Sequence, residues 1–337
     1  MTDPARRLGP VVRLAPAKLN LTLAVIGRRP DGYHLLHSIM VPLGLSDRLS
    51  IARGAGAHDT LHVAADAADR AALGGAADNL VLRAIAAARA AVGGALPTPA
   101  LAARLDKRIP VAAGLAGGSS DAAAALDGAL EAWGAGADSV LSMDERRRLA
   151  AQLGSDVPFF LAGDIALVEG RGEQVTGLPG AIKGEPPGVL LITPRIGVPT
   201  AAVFATLVEA AAAGAPLNGS TRLSSEHLAG ELQRGISPRT LYDRAGILAS
   251  ANDLWPATAA IVPELVPFRR ALARLTGRPI GLSGSGPTLW ILYPSMAEAT
   301  VAEGVVRDAL ASGVLKAPRD QPPFVCATTI VSAGPPG

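Results

Sequence analysis

The sequence contains one cysteine, Cys326, so no internal disulfide can form, and no group of Cys and His residues has the spacing of a zinc site. A reducing compartment without a structural metal is the expectation. Aromatic residues are also few: five Phe, three Trp and three Tyr, 3% of 337 residues. Their positions matter wherever a ligand could stack. An excess of one charge is missing too, with 31 Lys and Arg against 29 Asp and Glu and a formal net charge of +2. Proteins built to hold nucleic acid or an anionic membrane carry a clear basic excess, so neither partner is expected here. No run approaches the roughly 18 apolar residues of a membrane helix. The apolar stretch after Arg6 and Arg7 is interrupted by Arg13 and Lys18, unlike a signal peptide. A soluble, cytoplasmic protein is the expectation, and without secretion the acceptor pattern Asn218-Gly219-Ser220 carries no meaning.

Hydrophobic residues make up 49% of the chain, enough at this length for a sizeable core. From Val11 to Val25, Leu19, Leu21, Leu23 and Val25 alternate with Asn20, Thr22 and Ala24, the period of a strand with one buried face. Lys18 and Asn20 then share its polar face. Turn residues Pro30, Asp31 and Gly32 follow, then one or two strands over Leu35 to Ile51 and a surface connection over 52–77. Asn79 caps a helix that Gly93 ends, and Ser142 and Glu145 are spaced as a capping box before a second helix ending at Gly154. Strands are read over 101–109, 165–168 and 188–194, and at FVCATTIV, with two helices before PIGLSGSGPTLWILYP. The segment 218–244 reads as partly irregular. Gly180 to Pro187 is a candidate domain boundary, which divides the chain into 1–185 and 186–337. Because the early strands come in hairpin-like succession, the expected class is α+β with mixed sheets.

Four segments carry possible chemistry. In IPVAAGLAGGSSDAAAAL, residues 109–126, a strand end runs through Gly114, Gly117 and Gly118 into Ser119, Ser120 and a helix. Glycines let backbone N–H groups approach a ligand, and the helix start adds donors and the positive end of the dipole. A phosphate cradle is the functional reading, and a tight turn with a serine cap is the bland one. It is neither GxxxxGK[ST] nor GxGxxG, so a P-loop and a dinucleotide fingerprint are unsupported. A second cluster, Gly281 to Thr288, is either a hairpin turn or a second backbone surface for a nucleotide. In LGSDVPFFL, Asp156 is either a capping aspartate or the partner of Lys18, whose ammonium on the polar strand face would lower the carboxylate pKa and stabilise a developing alkoxide. In DGYH, turn packing is the ordinary reading of Tyr33 and His34.

PAKLNL (16–21), RPDGYHLLHS (29–38), IPVAAGLAGGSSDAA (109–123), GSDVPFF (154–160) and GLSGSGPT (281–288) occur in the order and spacing of the GHMP kinases, which the chain resembles over nearly its whole length. PAKLNL followed by DGYH and later GSDVPFF narrows the resemblance to the branch that phosphorylates the 2-hydroxyl of a diphosphocytidyl methylerythritol. The resemblance implies an N-terminal domain like ribosomal protein S5 domain 2, a ferredoxin-like C-terminal domain, ATP and Mg2+. Carried over position by position, it makes Asp156 the base and Lys18 its charged partner. The ATP phosphates would be wrapped by the backbone of Pro110, Val111, Ala112, Ala113, Gly114, Leu115, Ala116, Gly117, Gly118, Ser119 and Ser120. Asn20 would lie near the reacting groups, Tyr33 and Phe204 would stack on cytosine, and His34 would bond its edge. Alanines at 112, 113 and 116 replace glycines of some members, and Asp121 replaces an asparagine. A GHMP kinase for another small alcohol such as homoserine or mevalonate is the alternative, as is a ligand-binding relative without activity. The base sandwich argues against the first, and retention of Lys18 and Asp156 against the second. Either a monomer or a homodimer is compatible with the sequence.

Overall fold

The computed structural model describes residues 9–66, 69–70, 79–135, 140–213 and 219–332. Asn218, and residues 67–68 and 71–77 of the expected connection, lie outside them. Two compact units are present. One comprises Met1–Ala17, Ser46–Val111 and Ala116–Leu161, the other Lys18–Leu45, Ala112–Leu115 and Ala162–Gly337. The Gly180 to Pro187 stretch falls inside the second. The first two strands, β1 (Val11–Arg28) and β2 (His34–Arg53), supply residues to both units.

In the first unit the latter half of β2 pairs antiparallel with β4 (Leu101–Asp106), in register Leu49 with Leu105. Parallel to β4 runs β3 (Thr60–Ala64), a strand within the region read as surface connection. Its polar and short composition hides it; the pairing to β4 makes it. Helix α1 (Leu80–Val92) starts where the Asn79 side chain accepts the Val81 N–H at 2.9 Å, and ends at Gly93 in the left-handed region, φ 57°. Helix α2 (Gly117–Ala132) packs against it. Their facing sides are largely alanine, with Ala84, Ala88, Ala122, Ala125 and Ala129 all buried, which permits close approach of the two backbones. Helix α3 (Met143–Leu153) opens with the expected reciprocal Ser142–Glu145 box, and α4 (Val157–Ala162) follows. Leu49, Ile51, Ile85, Leu101, Leu105, Leu126 and Val157 join these elements in one core.

In the second unit the first half of β2 pairs with β5 (Ala166–Gly170), and β5 with β6 (Gln174–Gly177). A separate antiparallel sheet has the order β10-β7-β9-β8, from Phe324–Thr329, Gly188–Thr193, Leu289–Tyr293 and Gly281–Leu282. Helices α5 (Thr200–Ala212), α6 (Gly219–Arg234), α7 (Pro238–Asp243), α8 (Ala245–Ser250), α9 (Trp255–Ile261), α10 (Leu265–Thr276) and α11 (Met296–Ala311) complete the described elements. Phe268 and Leu272 of α10, and Ala299 and Val306 of α11, cover the sheet through Leu190, Ile192, Leu289 and Ile291. Every residue of β7 is buried, as its unbroken apolar run requires.

Two sequence expectations are corrected. β1 is buried on both faces: Lys18, Asn20 and Thr22 are 3%, 2% and 0% exposed. Alternation reported a chemical difference between the faces, not a difference in burial, because buried polar groups are satisfied by partners instead of water. Residues 219–243 are also largely helical, with α6 and α7 separated only by 235–237. Thr221, Ser225, Leu228, Ala229 and Leu232 are the buried positions of α6, so two polar side chains sit in the inward stripe and weaken the apolar signal.

Candidate active site

In the second unit, the polar face of β1 carries a chain of hydrogen bonds. Lys18 Nζ donates to Asn20 Oδ1 at 2.6 Å and to the Gly114 carbonyl at 3.0 Å. Asn20 Nδ2 donates to Ser38 Oγ at 2.9 Å, and Ser38 Oγ donates to the Thr22 carbonyl at 2.6 Å. Farther along, Thr22 Oγ1 lies 2.7 Å and His37 Nδ1 2.8 Å from Ser225 Oγ of α6. That contact explains why α6 buries Ser225. Lys18 and Asn20 thus share a face as the alternation implied, with the ammonium aimed at the glycine-rich loop.

The loop after β4 has an unusual backbone. Ala112 and Ala116 adopt φ 54° and 53°, and Gly114 adopts 77°. For alanine this left-handed conformation is uncommon and costs of order 1 kcal/mol, so surrounding contacts must hold it. Some are supplied by the second glycine cluster, which is the turn of the β8–β9 hairpin. The Ala113 carbonyl accepts from Thr288 Oγ1 at 2.6 Å and from Thr288 N–H at 3.3 Å, and the Gly114 carbonyl accepts from Ser283 Oγ at 3.0 Å. A Cβ on residue 114 would lie 2.4 Å from the Ser283 carbonyl oxygen, so only glycine fits there. Asn252 in turn holds the hairpin turn, its Nδ2 donating to the Leu282 and Gly284 carbonyls at 3.0 and 2.9 Å. The segment around it also grips β1, where Leu23 N–H donates to Ala251 and Asp253 N–H to Leu23.

In the first unit, α2 begins at Gly117. Ser120 N–H donates to the Ala116 carbonyl at 3.0 Å, and helix geometry leaves the N–H groups of Gly117, Gly118 and Ser119 facing out of the first turn. Of the wider cradle read from sequence, Pro110 has no N–H, and that of Val111 is taken by Asp69 Oδ1 at 2.8 Å. Gly154, two residues ahead of Asp156, packs toward this turn: a Cβ on it would sit 3.9 Å from Ser119 Oγ. Asp156 is half-buried in the turn before α4.

Below the helix start lies a buried charge cluster. Lys107 Nζ pairs with Asp121 Oδ2 at 2.8 Å and with Asp47 Oδ2. A Cβ on Gly117 would be 3.1 Å from that ammonium. Asp47 Oδ1 also accepts the N–H groups of Arg108 and Ile109 at 2.5 and 2.9 Å. Burial is the largest influence on Lys107 and opposes its charge, but Asp121 and Asp47 override it and hold its pKa above the usual value. Burial pushes Asp121 up to about 7, the Lys107 charge opposing and Asp47 adding to the rise. Asp121 Oδ1 and Ser120 Oγ are buried without a partner.

Tyr33, His34 and Phe204 all belong to the second unit. His34 stacks on Phe204 with ring centroids 4.7 Å apart at 22°. Burial, and then the Arg28 guanidinium, hold the His34 pKa below its ordinary value, which favours the neutral ring. Its Nε2 is buried and unpartnered. Tyr33 is 50% exposed, and the Arg171 guanidinium lies 5.2 Å from its ring centroid.

Sequence reasoning missed Ser225, Asn252, Lys107, Asp47 and Arg171. All act through contacts remote in sequence, so no local spacing marks them. Asp121 alone was signalled, by its place next to the serines.

Comparison with known proteins supplies the context. Residues 79–164 match the family model described as the GHMP kinases N terminal domain. The chain is 35% identical over 279 residues to a 4-diphosphocytidyl-2-C-methyl-D-erythritol kinase of Bacillus cytotoxicus, covering 82% of this chain and 86% of that one. It is 37% identical over 290 residues to the enzyme of the same name from Pelotomaculum thermopropionicum, covering 86% and 91%. A crystal structure of 4-(cytidine 5'-diphospho)-2C-methyl-D-erythritol kinase superposes with a TM-score of 0.65 at 28% identity, over 95% of this chain and 99% of that one. A homoserine kinase from Cytophaga hutchinsonii superposes with a TM-score of 0.63 at 16% identity over 98% and 97%, a likeness of fold alone.

The raised Asp121 pKa gives a signed prediction. A folded-state value above the unfolded one contributes stability below about pH 4 that is lost as pH rises through about 7. In urea unfolding at pH 5 and pH 8, Asp121→Asn should gain on the wild type at the higher pH. A difference that moves the other way would mean that the carboxylate is the favoured form in the fold.

Proposed function

The chain belongs to the 4-diphosphocytidyl-2-C-methyl-D-erythritol kinases within the GHMP kinases, and from that premise we propose how its residues perform the reaction. ATP is the phosphoryl donor. The acceptor is the 2-hydroxyl of 4-diphosphocytidyl-2-C-methyl-D-erythritol, and the products are the 2-phosphate and ADP, a step of the non-mevalonate isoprenoid route. The observation that supports this assignment best is the buried Lys18 ammonium, held by Asn20 and by the carbonyl of Gly114 in the glycine-rich loop.

Phosphoryl transfer needs positioning and charge stabilisation more than covalent help from the protein. In our reading the outward N–H groups of Gly117, Gly118 and Ser119, at the positive end of α2, take ATP phosphate oxygens. The left-handed Ala112, Gly114 and Ala116 shape the loop within 110–120 that carries them. The Asp156 carboxylate accepts the proton of the substrate 2-hydroxyl as that oxygen forms its bond to the γ-phosphorus. The bond from the γ-phosphorus to the β-phosphate bridging oxygen breaks, and ADP leaves with the electron pair. Lys18 stabilises negative charge on the attacking oxygen, and Asn20 fixes the Lys18 ammonium.

Mg2+ prefers oxygen ligands and keeps several waters, being held largely by substrate phosphates. Among the described residues no group of three or more His, Cys, Asp or Glu could hold a metal. Ser120 Oγ, buried without a partner, is the protein oxygen we assign to it. When bound, the ion neutralises charge on the phosphates. On the acceptor side, Tyr33 and Phe204 take the two faces of cytosine and His34 Nε2 its polar edge. We also propose a cytoplasmic, monomeric or homodimeric enzyme, with family domains 1–185 and 186–337. Among the described residues no helix is long and apolar enough to cross a membrane.

An ADP-release assay tests the acceptor directly. Turnover is expected with the diphosphocytidyl substrate and not with homoserine or mevalonate, and the reverse would reassign the chain within its superfamily. Asp156→Asn should fold and bind ATP but lower kcat roughly 100-fold or more; near-normal rates would remove it as the base. Tyr33→Ala should raise KM for the diphosphocytidyl substrate about tenfold, in line with stacking of roughly 1 to 3 kcal/mol per base, and leave KM for ATP unchanged. Equal rises in both would place Tyr33 elsewhere.

A further inference from the structure

The hairpin tip between β5 and β6, Gly170 to Glu173, is built to hold one arginine against Tyr33. Gly170 and Gly172 adopt φ 70° and 123°, which makes the turn tight. Glu173 closes it, Oε2 accepting the Arg171 N–H at 2.7 Å. The same carboxylate pairs through Oε1 with Arg29 Nη1 at 3.3 Å. Arg29 belongs to the turn that presents Tyr33. Its N–H donates to the Tyr33 carbonyl at 2.7 Å, and its guanidinium donates to Asp31 Oδ2 at 3.0 Å through Nε. Asp31 Oδ1 accepts the Tyr33 N–H at 3.2 Å. Two turns remote in sequence are therefore latched by the Glu173–Arg29 pair. From one of them the Arg171 guanidinium reaches to 5.2 Å from the Tyr33 ring centroid, within cation–π range. The tyrosine still keeps half of its surface exposed.

We propose that Arg171 is a positioning residue for nucleobase recognition: its guanidinium backs the Tyr33 ring and fixes it to receive the pyrimidine of the substrate. The inference rests on the reading of Tyr33 as a base-stacking residue. A tyrosine on an exposed turn is free to rotate about χ1, and each rotamer-rich side chain immobilised on binding costs affinity. Arg171 orders the ring before the ligand arrives. Arginine suits the task better than lysine, because its planar guanidinium stacks on an aromatic face and is weakly hydrated. Nothing in this role touches the reacting atoms, so it is expressed in substrate binding and not in turnover.

The test compares Arg171→Leu, Arg171→Lys, Tyr33→Ala and the double variant Tyr33→Ala/Arg171→Leu in the full-length enzyme. Arg171→Leu should raise KM for the diphosphocytidyl substrate roughly two- to fivefold, the fold-change equivalent of an exposed cation–π pair. Its kcat and KM for ATP should stay at wild-type values. Arg171→Lys should recover part of the loss. In the Tyr33→Ala background the Arg171→Leu change should have no further effect, because its action passes through the ring. Additive losses in the double variant, or parallel rises in KM for both substrates, would overturn the proposal. If Tyr33→Ala raises KM for the diphosphocytidyl substrate but Arg171→Leu does not, the proposal alone falls. If Tyr33→Ala itself leaves that KM unchanged, the base-stacking reading falls and takes the proposal with it.

Discussion

The carbonyl oxygen of Gly114 is the point on which the second unit's polar architecture depends. It accepts from Lys18 Nζ and Ser283 Oγ, each at 3.0 Å. The backbones of residue 114 and the β8–β9 turn are so close that a side chain on one would collide with the other. Such contact between irregular segments is stable only if their polar groups are paired, since a buried orphan costs about as much as a lost hydrogen bond. Thr288, Ser283 and Asn252 provide that pairing. The same contacts orient Lys18. Without water to share its charge, a buried ammonium depends on the acceptors the fold places around it, and Asn20 and the loop carbonyl are two of them.

A second buried lysine solves a different problem. Lys107 lies below the first residue of α2, where the helix dipole is positive and a further cation is unwelcome. Asp47 and Asp121 answer it from opposite sides of the chain's order, one from β2 and one from the helix itself. Asp121 is therefore more than a variant letter in a glycine-serine motif. It ties the helix start to the end of β4 and thereby holds the first turn from behind. The outward N–H groups remain available for anionic oxygens, because the carboxylates engage the lysine on the inner side.

The turn that carries Tyr33 follows the opposite design. Tyr33 stands half exposed on its turn, which charge pairs of Arg29 with Asp31 and Glu173 and the Arg171 guanidinium brace. Exposed pairs of this kind add little to global stability. They restrict a turn locally, which is where a binding site gains from preorganisation. His34 and Phe204 are different, being packed on each other, with the His34 pKa lowered by burial and its Nε2 buried without a partner.

Much of the molecule was legible in its residues. Capping signals at Asn79 and Ser142 and the continuous apolar run of β7 placed elements correctly, because each depends on local backbone chemistry. The motifs around Lys18, Gly114, Asp156 and Gly281 pointed to the family, since phosphate binding by backbone demands small residues in a fixed local order. Burial of the polar face of β1 was not legible: alternation cannot tell water from a buried partner such as Ser225. Nor was α6, whose inward stripe includes Ser225 because that position meets His37 and Thr22. Asn252, Lys107 and Arg171 act across 30, 60 and 138 residues on Leu282, Asp47 and Tyr33 respectively. The sequence by itself determined where the capped helices α1 and α3 and the apolar strand β7 form, and which segments carry the family's motifs. Tertiary structure alone decided which charges are buried together and which aromatic ring is backed by a cation, because those depend on long-range pairing that no local pattern encodes.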